Sequence, residues 1–165
     1  MKHTISVLVE NRFGVLARVA GLFSSRGFNI DSLAVGRTDD ETVSRMTIVV
    51  DADEPILEQV KKQLNKLIDV VKVYDHEDED FVDRELVLVK VAAAGAQRSE
   101  VMQIADIFRA KIVDVSPKTI TIEATGNTDK VEGFIDLISS YGIREIVRTG
   151  SVAMSRGATA LRAAE

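Results

Sequence analysis

The chain contains no cysteine, so it forms no disulfide, holds no metal through thiolates and has no cysteine nucleophile. Only two histidines, His3 and His76, offer an imidazole. They do not have the spacing of a His-based metal motif, and both are expected at the surface. Gly-rich phosphate loops are absent, because Gly21 and Gly27 fall inside and at the end of a helix pattern. No nucleophile elbow is present either. Aromatic residues are 5% of the chain and fall mostly outside the strand patterns, which leaves no stacking platform for RNA bases. A net charge of −5 and a pI near 5.2 also lack the Lys/Arg excess that binding to nucleic acid requires. No apolar run approaches the ~20 residues of a membrane span. Met1-Lys2-His3-Thr4-Ile5-Ser6 runs directly into an alternating pattern, unlike a signal peptide. The expectation is a soluble cytoplasmic protein with no nucleic-acid or membrane partner.

What is present is hydrophobic periodicity of two kinds, in a fixed order. Ile5, Val7 and Val9 alternate with Thr4, Ser6 and Leu8, as in a strand. Val15, Leu16, Val19, Ala20, Leu22 and Phe23 then fall at helical spacing, and Gly27 is placed to end that helix in the left-handed conformation. A strand is expected from Asn29 to Arg37, a turn at Asp39-Asp40-Glu41 and a strand from Val43 to Val50. Asp53 and Pro55 open a second helix that buries Ile56 or Leu57, then Val60, Leu64 and Leu67, and Val70 to Tyr74 forms a fourth strand. The order βαββαβ is that of ferredoxin-like folds.

From Asp75 to Glu85 the chain is dominated by Asp and Glu. Such a run is expected to stay solvated as a linker, and it lacks the spaced ligands and turn glycine of a Ca²⁺ loop. The pattern then repeats. Leu86 to Val91 reads as a strand, Ser99 as the cap of a helix carrying Val101, Ile104, Ala105, Ile107 and Phe108, and Lys111 to Val115 and Thr119 to Ala124 as strands. Thr125 to Thr128 breaks the run before a helix bearing Val131, Phe134, Ile135 and Ile138, and Ile143 to Arg148 is the last strand. The expected fold class is α+β, with two ferredoxin-like βαββαβ units in tandem: residues 1–76, an acidic linker at 77–84, residues 85–150, and a tail at 151–165 without clear period. Units of this size bury only about 60% of the unfolded chain's surface and leave open sheet edges, so a homo-oligomer is expected.

The two joints that flank the first helix carry the candidate site. Backbone N–H groups at Gly14, Val15 and Leu16 lack intrahelical partners, and a carboxylate there would gain hydrogen bonds and the positive end of the helix dipole. Gly14 has no Cβ, so a ligand can approach the backbone. The Asn11 and Asn29 amides can both donate and accept. The combination suits an α-amino acid, although both Asn could also be simple turn residues.

The runs Val9-Glu10-Asn11-Arg12-Phe13-Gly14-Val15-Leu16-Ala17-Arg18, Arg26-Gly27-Phe28-Asn29-Ile30-Asp31-Ser32-Leu33 and Ser44-Arg45-Met46-Thr47-Ile48 closely resemble the small, regulatory subunits of acetolactate synthase. The first unit resembles an ACT domain, the amino-acid-sensing form of βαββαβ. Phe108 to Val115, Arg148-Thr149-Gly150 and Ser155-Arg156-Gly157 resemble those subunits' carboxy-terminal domain.

The resemblance implies a subunit with no active site of its own. It would bind the catalytic large subunit, which carries thiamine diphosphate, Mg²⁺ and FAD, while holding no cofactor or metal itself. It would raise that enzyme's activity and confer feedback inhibition by a branched-chain amino acid, usually valine. In the family the effector lies between paired ACT domains. Carried over, it would meet Asn11, Gly14, Val15 and Leu16 of one chain and Asn29 and Ile30 of another. Phe13 departs from the Pro or small residue common before this glycine. A stand-alone ACT sensor acting on another enzyme or a transcription factor is the alternative.

Overall fold

The computed structural model describes residues 1–77 and 79–163. Asp78 of the acidic run and residues 164–165 of the tail lie outside the described residues. The chain forms two compact units, Met1–Val82 together with Ser151–Glu165, and Asp83–Gly150.

In the first unit the order is β1 (Lys2–Glu10), α1 (Val15–Ser25), β2 (Ile30–Arg37), β3 (Val43–Asp51), α2 (Glu54–Lys66) and β4 (Val70–Asp75). The four strands lie in the order β2-β3-β1-β4, every neighbouring pair antiparallel. Ile5 faces Ile48 and Val7 faces Met46 across the central pair. These residues and Val9 pack against Val15, Val19 and Phe23 of α1 and Leu57, Val60 and Leu64 of α2. Ile56 or Leu57 resolves to Leu57, which is fully buried.

The helix boundaries follow local chemistry. Asp53 caps α2 by accepting from the Ile56 N–H, with Pro55 in the first turn. At the end of α1, Gly27 has φ +70°. The Phe28 N–H reaches Phe23 O at 3.0 Å, the Gly27 N–H reaches Ser24 O at 3.3 Å, and the Phe28 ring meets Phe23 edge-on. This is a Schellman ending with its hydrophobic contact.

The second unit repeats the topology with β5 (Phe81–Ala92), α3 (Gln97–Ile107), β6 (Lys111–Val115), β7 (Thr119–Gly126), α4 (Thr128–Ser139) and β8 (Ile143–Arg148), in sheet order β6-β7-β5-β8. Val87, Val89, Val91, Ile120 and Ile122 face Val101, Ile104, Val131, Phe134 and Ile138 in an all-apolar core. Asn127 caps α4 through the Lys130 N–H.

Three sequence-based expectations change. Ser99 does not cap α3. The helix begins at Gln97 after Gly95, whose φ of +61° turns the chain in earlier, and the Ser99 hydroxyl donates back to Ala96 O. The stretch 77–84 is not all linker, since β5 begins at Phe81. Two of its carboxylates have partners: Asp83 accepts from the Thr128 N–H and hydroxyl, and Asp80 pairs with Arg156. The tail contains a strand, β9 (Val152–Ser155), which pairs with β5, whose first two residues belong to the same unit as the tail. Ser151 donates its N–H to Ser32 Oγ, and Arg45 donates to Ala153 O.

Candidate functional site

The candidate ligand region begins where β1 ends. The Asn11 N–H donates to Thr42 O at 2.7 Å and its side-chain amide to Glu41 O at 2.9 Å. Asn11 therefore ties the start of α1 to the β2–β3 turn, and its amide oxygen remains available as an acceptor. The turn is ordered by its own side chains: Asp40 accepts from the Thr42 N–H and hydroxyl, bonds that hold its carboxyl below the usual range.

Gly14 occupies the N-cap position with φ +82°, and no side chain caps α1. The first-turn N–H groups of Leu16 and Ala17 have no intrahelical acceptor by position, and the Val15 N–H makes only a 3.4 Å bond to Arg12 O. A Cβ on Gly14 would stand 3.2 Å from Arg18 Nη1. That guanidinium is anchored by Asp69, at 2.7 Å from Nε and 2.6 Å from Nη2, and Asp69 is itself buried. An uncapped helix start, a glycine without side chain and a fixed cation thus share one corner. Val15 is buried beneath it, whereas Leu16 is half-exposed and Phe13 fully exposed.

Asn29 and Ile30 are not brought to this corner within one chain. Glu10 lies opposite Val43 and Ile30 opposite Val50, seven residues apart along β3, or about 23 Å at the rise of a strand. Asn11, Gly14, Val15 and Leu16 therefore sit at one end of the sheet and Asn29 and Ile30 at the other. Within one chain the two groups do not meet.

Both histidines are buried, contrary to the surface positions expected of them. His3 is 2% exposed, with Nε2 3.1 Å from Ala52 O. It shares the strand parity of Ile5, Val7 and Val9, a signal that was present in the sequence. His76 is 1% exposed. Its Nε2 lies 2.8 Å from Ser6 Oγ, and its ring packs between Tyr74 and Phe81. Arg45 donates to the same Ser6 hydroxyl at 3.0 Å. Burial, aided by the Arg45 charge, lowers the His76 pKa. This polar cluster lies on the face of β1 opposite the helices, and its members are far apart in sequence.

The topology and the helix-start geometry define the first unit as ACT-like, within a tandem of two ferredoxin-like units. Comparisons with known proteins carry this further. A family profile described as the AHAS small subunit-like ACT domain matches residues 5–72, and one described as the small subunit of acetolactate synthase matches residues 84–157. The chain is 59% identical over 157 residues to a probable acetolactate synthase small subunit of Archaeoglobus fulgidus, covering 95% of this chain and 98% of the relative. It is 56% identical over 155 residues to an acetolactate synthase small subunit of Mycobacterium bovis, covering 94% and 92% of the two chains. The crystal structure of the acetolactate synthase small subunit from Thermotoga maritima superposes with a TM-score of 0.86 at 43% identity, covering 96% of this chain and 99% of that one. The chain belongs to the acetolactate synthase small-subunit family, the regulatory subunits of that enzyme.

Proposed function

We propose that this chain binds the catalytic large subunit of acetolactate synthase, raises its activity and transmits feedback inhibition by a branched-chain amino acid, valine foremost. The large subunit would carry thiamine diphosphate, Mg²⁺ and FAD, and this chain would bind none of them. The effector would lie between two ACT units of a homodimer. Its carboxylate would meet the N–H groups of Gly14, Val15 and Leu16 at the start of α1, where Arg18 adds positive charge. Asn11 would flank it, and Asn29 and Ile30 from a second copy of the chain would complete the pocket.

The observation that carries this reading is the uncapped start of α1 behind Gly14, in a chain whose family is that of an enzyme's regulatory subunit. Binding at a dimer interface favours one arrangement of the pair, and that preference reaches the enzyme as a coupling free energy of ~1–3 kcal/mol. The coupling is reciprocal, so the large subunit must change valine affinity by the same factor.

The test has two parts. Reconstituted holoenzyme should form acetolactate faster than the large subunit alone, and valine should reverse part of that gain. Calorimetric titration of valine into the chain and into Asn29→Ala should show weaker binding by the variant. Equal affinities would remove Asn29 from the site. Failure of this chain to copurify with a thiamine-dependent partner, with pyruvate condensation unchanged, would favour a stand-alone sensor.

A further inference from the structure

A second cluster lies in the first unit and shares no residue with the effector region. His3 of β1, Glu54 in the first turn of α2 and Glu77 just after β4 each present one ligand atom, all within 4.8 Å of one another. The three belong to separate elements, so sequence spacing does not reveal them.

The state of His3 makes the cluster more than a group of acids. Its Nε2 lies 3.1 Å from Ala52 O. A carbonyl only accepts, so Nε2 carries a proton, and in the neutral tautomer with that proton Nδ1 is a bare acceptor. Nδ1 is buried without a hydrogen-bond partner among the described residues, and it stands 3.1 Å from Glu77 Oε2. A lone pair and a carboxylate at that distance require positive charge between them. The pair is out of line for a hydrogen bond, which makes a shared proton a poor fit. A metal ion fits better. Two ligands each about 2.1 Å from a common ion are about 3.1 Å apart when they subtend ~95°. A ligating imidazole that donates its other N–H to a backbone carbonyl is the usual way such a ring is oriented.

We propose that His3 Nδ1, Glu77 and Glu54 bind a divalent first-row transition ion of the Zn²⁺ type. One imidazole and two carboxylates suit such ions better than Ca²⁺ or Mg²⁺, which prefer all-oxygen shells, and without thiolates the site does not select soft ions. Glu54 is exposed, so its side chain can rotate to close on the ion within the 4.8 Å that bounds the present separations. The bound ion ties β1, the start of α2 and the segment leading from β4 into β5, and its role is to fix that segment.

The test uses the full chain without an affinity tag, stripped with a chelator and dialysed against Zn²⁺. Elemental analysis is expected to find one ion per chain, thermal unfolding to move upward with Zn²⁺, and Co²⁺ to give the visible absorption of a low-symmetry site. His3→Gln risks misfolding, because His3 is buried. The decisive variants are therefore Glu77→Gln and Glu54→Gln, each expected to weaken binding about tenfold or more. Glu58→Gln, whose carboxylate pairs with Lys61 on the same helix, is expected to bind as the unaltered chain does. Less than one ion per chain in the unaltered protein, or unchanged binding in Glu77→Gln, would overturn the proposal. Neither readout involves the large subunit or valine, so the result is independent of the regulatory reading.

Discussion

The two units share one topology and differ in what they bury. In the second, Glu85 is the one fully buried polar side chain among the described residues, and Arg148 pairs with it through two bonds of 2.7 and 2.8 Å. The remaining interior is Val, Ile, Ala and Phe. The first unit buries His3, Ser6, Ser44, Thr47, Asp69 and His76 as well as its apolar core. Its central strand β1 is buried on both faces, because the face opposite the helices also has neighbours, Arg45 and His76 against Ser6 among them, and the tail bonds to Ser32 and Arg45 of the adjoining strands. A βαββαβ sheet needs only one apolar face to fold, which leaves the other free to carry charge, the His76 imidazole and a docked tail. The second unit keeps its interior almost wholly apolar, whereas the first also buries polar groups.

That contrast breaks most sharply at Arg45. Its guanidinium holds Ser6 Oγ and Ala153 O together. Arg45→Met keeps the aliphatic bulk but removes the donor to Ala153 O and one of the two partners of Ser6 Oγ. A hydrogen bond from a charged donor contributes ~1.5–3 kcal/mol, and because Ser6 Oγ keeps His76 as a partner, a loss of about 2–3 kcal/mol is expected. Hydrogen exchange should show the loss in β1, β3 and the tail, with β6 and β7 unchanged, and limited proteolysis at Arg156 or Arg162 should accelerate. An equal loss of protection in both units would show that the polar face does not belong to the first unit alone.

A smaller effect is expected from pH. His76 has its pKa lowered in the folded chain, first by burial and then by Arg45, so below the ordinary value of 6.5 the unfolded chain binds more protons than the folded one. Stability then rises with pH across that window. The contribution of His76 is complete above about 6.5 and is lost as pH falls from there through the folded value. Chemical denaturation at pH 7.5 and pH 5.5 should show the loss in the unaltered chain and a flatter profile in His76→Gln. No histidine lies between residues 83 and 150, so exchange in the second unit should not follow this titration.

Most of the fold was legible in the sequence because each unit's apolar residues keep a clean period of 2 or 3.6, and Asp53, Asn127 and Gly27 mark helix ends by chemistry that acts locally. The candidate site was legible only as two separate ends. The chain suggested Asn11 and Asn29 together, but only strand register places them at opposite ends of the sheet. Arg18 was hidden because its anchor, Asp69, is fifty-one residues away. The tail was misread for a different reason. Its alternation is inverted, with Ser151 and Ala153 buried while Val152 and Met154 face outward, so a hydropathy pattern finds the wrong face. The burial of His76 depends on Ser6, Phe81 and Arg45, three contacts that no local window contains.

The smallest expected effect sharpens the comparison at one matched position. Both α1 and α3 end in the same Schellman geometry. In α3 the Ala110 N–H reaches Ala105 O at 2.8 Å and the Arg109 N–H reaches Asp106 O at 3.0 Å, as Phe28 and Gly27 do in α1. The left-handed residue is Gly27 in the first unit and Arg109, at φ +52°, in the second. A side chain in that conformation costs roughly 1–2 kcal/mol through the Cβ, partly offset because glycine gains more freedom in the unfolded chain. Arg109→Gly should therefore stabilise the second unit by about 0.5–1 kcal/mol, and Gly27→Arg should destabilise the first by about 1 kcal/mol. Urea midpoints for the pair should move in opposite directions. A destabilising Arg109→Gly would mean that the Arg109 side chain contributes more than its backbone costs, and the left-handed position would then be explained by a role for that side chain.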